Sequence, residues 1–179
     1  MKKILLIMFT LITISTSAQK ISRDEYDKFT KNRNIETSYL TMYKKMTLIS
    51  TEHGVNLALR KYGNSYVLLA DIKNIEPIRF VKGNGMIFLF DNDSTIELNG
   101  NYTGTATKSE IGSAVNAYSF TTSYDLSEQD VEMFKNHKIT GIRTTYAAGS
   151  FDGEIKSKNQ QNVQKMFATI YKEENSSNR

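Results

Sequence analysis

The chain contains no cysteine. This excludes disulfides, thiolate metal sites, a cysteine nucleophile and the lipid-modified cysteine of a bacterial lipoprotein, so the fold rests on its core alone. Tryptophan is absent too, and proline occurs once, at Pro77. Turns must therefore be built from Gly, Asn and Asp. Neither sign of charge dominates, with 23 lysines and arginines against 19 aspartates and glutamates. The formal net charge of +4 includes Lys2 and Lys3, and the remaining lysines and arginines are scattered rather than run together. That balance supplies no electrostatic footprint for nucleic acid, and no nucleic-acid partner is expected.

No apolar run reaches the roughly 18 residues of a membrane span. The nearest opens the chain: Met1-Lys2-Lys3, then Ile4 to Ile14 broken only by Thr10 and Thr13, then Ser15-Thr16-Ser17-Ala18. As a helix the run would be about 16 Å long, half of a hydrocarbon core of about 30 Å. A basic start, a short apolar stretch and small residues form the pattern of a secretory signal peptide. Cleavage is expected after Ala18, with Thr16 three positions before the scissile bond. The chain then divides into a signal peptide at 1–18, one β-rich domain at 19–172 and a polar tail at 173–179. Removing 18 of the 179 residues leaves 161, one ordinary domain with a core of its own. The expected location is periplasmic or secreted, with no transmembrane segment in the mature chain.

Ten tyrosines and nine phenylalanines are present, and both types suit half-buried sheet surfaces. Residues 19–45 admit two readings. Ser22 and Glu25 have the spacing of a capping box and would open a short helix through Tyr26 and Phe29. The turn-like Lys31-Asn32-Arg33-Asn34 and the alternation from Ile35 to Met42 favour a strand, a turn and a second strand instead, and this is the expectation. Beyond Met46, Val55, Leu57 and Leu59 alternate with Asn56, Ala58 and Arg60, which is the period of a half-buried strand. Tyr62-Gly63-Asn64-Ser65 turns the chain into a central strand from Tyr66 to Ile72. Pro77 marks an irregular connection, and Ile78 to Val81 is a short strand. Lys82 to Gly85 and Asp91 to Ser94 are turns around Met86 to Phe90, an apolar run expected to be covered on both faces. Ile96 and Leu98 then alternate with polar neighbours. Residues 99–112 read as a surface loop, and Val115 to Tyr124 as a strand.

Ser127 with Asp130 three later is a looser capping box, with Leu126 and Val131 at the staple positions. The helix it opens is short and ends near His137. Ile139 to Ala148 reads as a strand and Gly149 to Gly153 as its turn, with a short return near Ile155. Val163, Met166, Phe167, Ile170 and Tyr171 make one apolar stripe of a C-terminal helix. Burying such side chains contributes about 1.5–3 kcal/mol each, so the stripe must dock on the sheet.

None of the candidate motifs completes a known chemistry. Asp91-Asn92-Asp93-Ser94-Thr95-Ile96-Glu97 begins like a calcium loop, but Ile96 stands where its glycine is required and Tyr102 where its bidentate glutamate belongs. Gly83-Asn84-Gly85 starts a dinucleotide fingerprint, but Phe88 replaces the third glycine and a strand follows. His53 beside Gly54 reads as a turn residue. His137 reads as a favourable charge at the negative end of a helix. Neither has a ligand-spaced companion, so no metal or cofactor is expected. Serines lack the G-x-S-x-G and S-x-x-K contexts. Glu52, Asp71, Asp91, Glu97, Asp125 and Asp152 are the carboxylates from which a hydrolytic pair could be drawn. No catalytic residue is assigned. Arg143, Tyr146 and Asp152 are the candidate surface-binding residues. An arginine in mid-strand either presents its head to an anion or a partner, or lays its stem along the sheet with its head in water.

Several segments taken together resemble a group of small exported Gram-negative bacterial proteins of uncharacterised function. They are the lysine-led signal ending at Ala18-Gln19, Tyr26-Asp27-Lys28-Phe29-Thr30, and Ile35-Glu36-Thr37-Ser38. Later come Tyr124-Asp125-Leu126-Ser127 before a short helix, Ile139-Thr140-Gly141-Ile142-Arg143, and the closing helix. The resemblance spans most of the mature chain and implies an exported, β-rich protein. It carries over no catalytic residue.

The expected fold is α+β: a mostly antiparallel, curved sheet with one short helix and one C-terminal amphipathic helix packed on it. The expected function is that of a non-enzymatic binding or accessory protein of the cell envelope, its partner an envelope ligand or protein left unidentified. The alternatives are a small envelope hydrolase using paired carboxylates and a protein–protein interaction or inhibitor module.

Overall fold

A computed structural model describes residues 19–46, 51–100, 103–109 and 117–176. The expected signal peptide, and the first residues of the strand expected from Val115, lie outside the described residues. The elements in chain order are β1 (Ile21–Tyr26), β2 (Arg33–Thr37), β3 (Leu40–Met46), β4 (Thr51–Tyr62), β5 (Ser65–Asn74), β6 (Arg79–Phe80), β7 (Gly85–Phe90), β8 (Thr95–Asn99), β9 (Gly104–Thr105), β10 (Thr107–Ser109), β11 (Ala117–Leu126), α1 (Glu128–Asn136), β12 (Ile139–Tyr146), β13 (Gly149–Glu154) and α2 (Asn162–Ser176). A single 3-10 turn at Ser157–Asn159 precedes α2. The fold is the α+β type expected, and the pairings described are antiparallel.

The larger sheet has seven strands in the order β1-β2-β4-β5-β11-β10, with β3 also paired to β4. β4 is twelve residues long, and two strands share one of its edges. Its C-terminal part pairs with β2, Tyr62 opposite Asn34, and its N-terminal part pairs with β3, Leu57 opposite Leu40. The chain bends between them at Ser38-Tyr39, so the single strand expected from Ile35 to Met42 is two. The bend curls the sheet into a half-barrel. Where β2 gives out, the Thr37 hydroxyl accepts the Leu59 N–H. Ser22 and Glu25 open no helix: they lie in β1, the strand expected by the second reading. The β4–β5 hairpin turns at Gly63, whose φ of 57° lies in the region open to glycine.

The smaller sheet has the order β13-β12-β7-β8. Its inner face supplies Met86, Phe88, Phe90, Ile96, Leu98, Ile142 and Phe151 to the core. At Gly85 the β7 and β8 backbones come so close that a Cβ would overlap the Leu98 carbonyl oxygen. The two sheets meet where the Tyr43 ring lies against Gly153, again leaving no room for a Cβ.

Ser127 caps α1 as expected: its Oγ accepts from Asp130 N at 3.2 Å, and Asp130 Oδ2 accepts from Ser127 N at 2.9 Å. Phe134 on α1 is fully buried and meets Phe88 and Phe90 edge-on, at 5.1 and 5.5 Å. α2 packs on β4, β2 and α1, burying Val163, Met166, Phe167 and Ile170. No helix among the described residues is long and apolar enough to cross a membrane.

Several local expectations are corrected. Gly149 to Gly153 is strand, not turn. Phe151 and Gly153 face inward between exposed neighbours, and the chain reverses in two residues, Ala147-Ala148. Met86 to Phe90 is covered on one face only, and Leu89 is 41 % exposed. The Thr- and Gly-rich stretch after Asn99 contributes β9 and β10, which find partners in β6 and β11. His53 sits within β4, stacked on Phe151 at 4.6 Å. Tyr171 leaves the apolar stripe and is 69 % exposed. The polar tail continues α2 to Ser176. Arg33 lies 3.5 Å from the Glu173 carboxylate, and Lys61 pairs with Glu174.

Candidate functional site

The smaller sheet buries one face and turns the other to solvent. Because side chains alternate along each strand, the outward residues are fixed by register. Three rows cross all four strands. One is Asp152, Arg143, Ile87 and Glu97. The second is Glu154, Gly141, Leu89 and Thr95. In the third, Thr145 stands opposite Ser150, its hydroxyl accepts from Gly85 N at 2.8 Å, and Gly85 stands opposite Asn99.

The face therefore has acids on its β13 edge, a cation next to them, an apolar strip on β7, and Thr95 and Glu97 on β8. Gly141 opens a depression in the second row. The nearest side-chain atom to a Cβ built there is Leu89 Cβ, at 3.5 Å. An open cleft of about 340 Å³ lies on this face, bounded by Ile87, Leu89, Thr95, Arg143, Asp152 and Glu154.

The guanidinium of Arg143 grips Asp152 with two parallel hydrogen bonds, Nε to Oδ1 and Nη2 to Oδ2, both at 2.7 Å. Such a fork fixes both side chains. Hydrogen bonding to Arg143 holds the Asp152 carboxyl below the ordinary aspartate range, and the same bonds raise the guanidinium pKa. Both side chains remain more than half exposed, so the pair orients more than it stabilises.

Two of the three residues singled out in the sequence are thus brought together. Asp152 had been assigned to a turn, yet it stands directly across from Arg143 on the neighbouring strand. Tyr146, three residues from Arg143, points to the opposite face and packs against the core, its ring 6.5 Å from Phe151. Ile87, Leu89 and Glu154 are not singled out by the sequence, and Glu97 is named there only among the carboxylates of a possible hydrolytic pair. The signal for them was Gly141 inside an otherwise strand-like run, together with the choice of face along Met86 to Phe90.

The other candidates are engaged elsewhere. In the acidic turn, Asn92 Oδ1 accepts from Ser94 N and Oγ, at 3.2 and 2.5 Å. Asp91 Oδ1 lies 3.3 Å from His137 Nδ1, at the C-cap of α1. His53 Nδ1 lies 2.8 Å from Asn74 Oδ1, and Glu52 is bound by Lys45 at 2.7 Å. Asp71 accepts from Asn56 Nδ2 at 3.0 Å and Ser119 Oγ at 2.5 Å. Glu97 and Asp125 share a second cleft of about 440 Å³ with Asp130. The Asp130 carboxylate is occupied by the cap of α1.

Comparison with protein-family models finds no match for this chain, and comparison with the curated proteins finds none either.

Proposed function

We propose that this chain is an exported, non-enzymatic binding or accessory protein of the cell envelope that works through the outer face of its smaller sheet. Export to the periplasm or beyond rests on the pattern of Met1 to Ala18. Binding rests on one observation: the outward Ile87–Leu89 strip lies directly beside the rigid Arg143–Asp152 pair. Apolar area and a preoriented polar pair on a sheet, rather than on a loop, form a surface that recognises without rearranging.

The test is native mass spectrometry of the mature protein purified from its own periplasm, beside a Leu89→Asp variant. A mass above that of the single chain that is lost in the variant supports the reading. The bare chain mass in both, together with a wild type that stays monomeric up to millimolar concentration, removes it.

A second reading has its own observation, the cleft that holds Glu97 and Asp125. Two carboxylates in one cleft are what carboxylate-based hydrolysis requires. Turnover in a screen of hydrolase substrates, abolished in both Glu97→Gln and Asp125→Asn, would replace the binding reading with this one.

A further inference from the structure

We infer that the occupant of this outer face is a second copy of the same chain, docked β7 on β7 about a two-fold axis parallel to the strands. The inference rests on the binding reading above and names its partner.

Register along β7 selects this arrangement. A two-fold axis running along β7, midway between two facing sheets, leaves position along the strand unchanged and exchanges the two sides of β7. β12 of each copy then lies over β8 of the other. Arg143 and Glu97 belong to the same row, on either side of Ile87, so each Arg143 meets the other copy's Glu97. Gly141 and Thr95 belong to the next row, on either side of Leu89. Each Thr95 therefore stands over the depression left by the other copy's Gly141. Ile87 and Leu89 meet their own counterparts at the centre. Charge opposes charge, a side chain opposes a gap, and apolar atoms close on apolar atoms, as an isologous interface requires.

Both charged groups have capacity to spare. Arg143 spends Nε and Nη2 on Asp152, which leaves its Nη1 hydrogens. Among the described residues Glu97 accepts only from Asn99 Nδ2, through Oε1 at 3.2 Å. Two alternative two-fold arrangements fail in the same register. An axis across the strands lays β13 on β13 and sets Asp152 and Glu154 against acids of the partner. An axis along β12 sets Arg143 on Arg143. Facing sheets pack about 10 Å apart with strands crossing at about 30°, so the axis is inclined to β7 by about half that angle. Four strands span only about 15–19 Å. The contact is therefore at the small end of specific interfaces, and the dimer is weak and concentration-dependent.

Sedimentation equilibrium of the mature protein, in a series reaching millimolar concentration, tests this with a charge exchange. The wild type is expected to dimerise. Arg143→Glu and Glu97→Arg should each weaken dimerisation by about tenfold or more, and the double exchange should restore most of the loss. Leu89→Asp, which leaves the Arg143–Asp152 pair intact, should abolish it. Thermal melts of each variant confirm that the fold persists. Wild type monomeric throughout, dimerisation indifferent to Leu89→Asp, or a double exchange that recovers nothing would each overturn the inference. If the wild type is monomeric but carries a foreign mass that Leu89→Asp loses, the face binds something other than its own copy. The dimer then fails while the binding reading stands.

Discussion

Thr37 Oγ1 accepts the backbone N–H of Leu59 at 3.0 Å. β2 ends at Thr37 and β3 begins only at Leu40, so the ladder along this edge of β4 is interrupted opposite Leu59. A side chain takes the place of the missing carbonyl in a site fully closed to solvent. Thr37→Val keeps the shape and removes the acceptor. The orphaned N–H should cost about 1–3 kcal/mol, and the amide of Leu59 should exchange faster with deuterium. An unchanged denaturant midpoint would show that the N–H finds another partner.

Thr144 presents the opposite case. Its hydroxyl is fully buried, with no hydrogen-bond partner among the described residues, on the inner face of β12. Thr144→Val should stabilise the protein by about 1 kcal/mol, since a desolvated polar group is replaced by a methyl of similar size. The denaturant midpoint should rise; a fall would mean that the hydroxyl is bonded after all.

Gly85 is required for a steric reason rather than a conformational one. Its α-hydrogen faces the β8 backbone, and a methyl there overlaps the Leu98 carbonyl oxygen, which is held by the sheet. Gly85→Ala should force β7 from β8 and lower the melting temperature by many degrees. Retention of the wild-type Tm would mean that the two strands are less closely joined than they stand here.

Met166 is fully buried at the centre of the α2 stripe. Met166→Lys places an unpaired charge between the helix and β4, and the expected loss is of the largest class seen for single substitutions, about 4 kcal/mol or more. Circular dichroism melts would show it. Tyr171→Lys, on the exposed side of the same helix, should change little and serves as the control.

Asp27 organises the β1–β2 turn. Its Oδ1 accepts from Phe29 N at 2.8 Å and Thr30 N at 3.2 Å, and Tyr62 donates to Oδ2 at 3.2 Å. Hydrogen bonds from the Phe29 and Thr30 amides hold its pKa below the ordinary aspartate value of 3.8. A carboxyl with a depressed folded pKa adds stability that is complete above its unfolded value and is lost as pH falls through the folded one. Between neutral pH and about pH 5 the contribution should be flat, and it should decline at more acid pH. In Asp27→Asn that part of the acid decline should vanish; an acid limb identical to wild type would show that the turn draws nothing from the charge.

The strands with one-sided patterns were legible in the sequence. Val55, Leu57 and Leu59 announce β4 by alternation, and Ser127 with Asp130 announces α1, because both signals are local. What the sequence hid depends on partners. Nothing in Gly149-Ser150-Phe151-Asp152-Gly153 marks a strand until Ile142 to Tyr146 lie beside it and supply the ladder. Glycine at both ends reads as turn, although Gly153 is small only because Tyr43 covers it. Met86 to Phe90 gave no sign of which face would be bare, since Ile87 and Leu89 are as apolar as the residues they alternate with. That ambiguity concealed the apolar strip of the candidate site, whose charged members Arg143, Asp152 and Glu97 the sequence names without showing that they share one face. Tyr171 shows the limit of the helical pattern: a residue can sit at the right interval and still fall beyond the edge of what the sheet covers.

Arg33 and Lys61 hold Glu173 and Glu174, and α2 covers the inner face of β2 and β4. A helix far along the chain thus finishes what the first strands begin. A chain delivered N-terminus first carries β1 to β5 as a sheet with one greasy side open until residues 162–176 arrive. Completion comes late, as expected where distant contacts dominate. A chain cut short before α2 leaves bare the surface that Val163, Met166, Phe167 and Ile170 cover, so the helix acts as the fold's quality check.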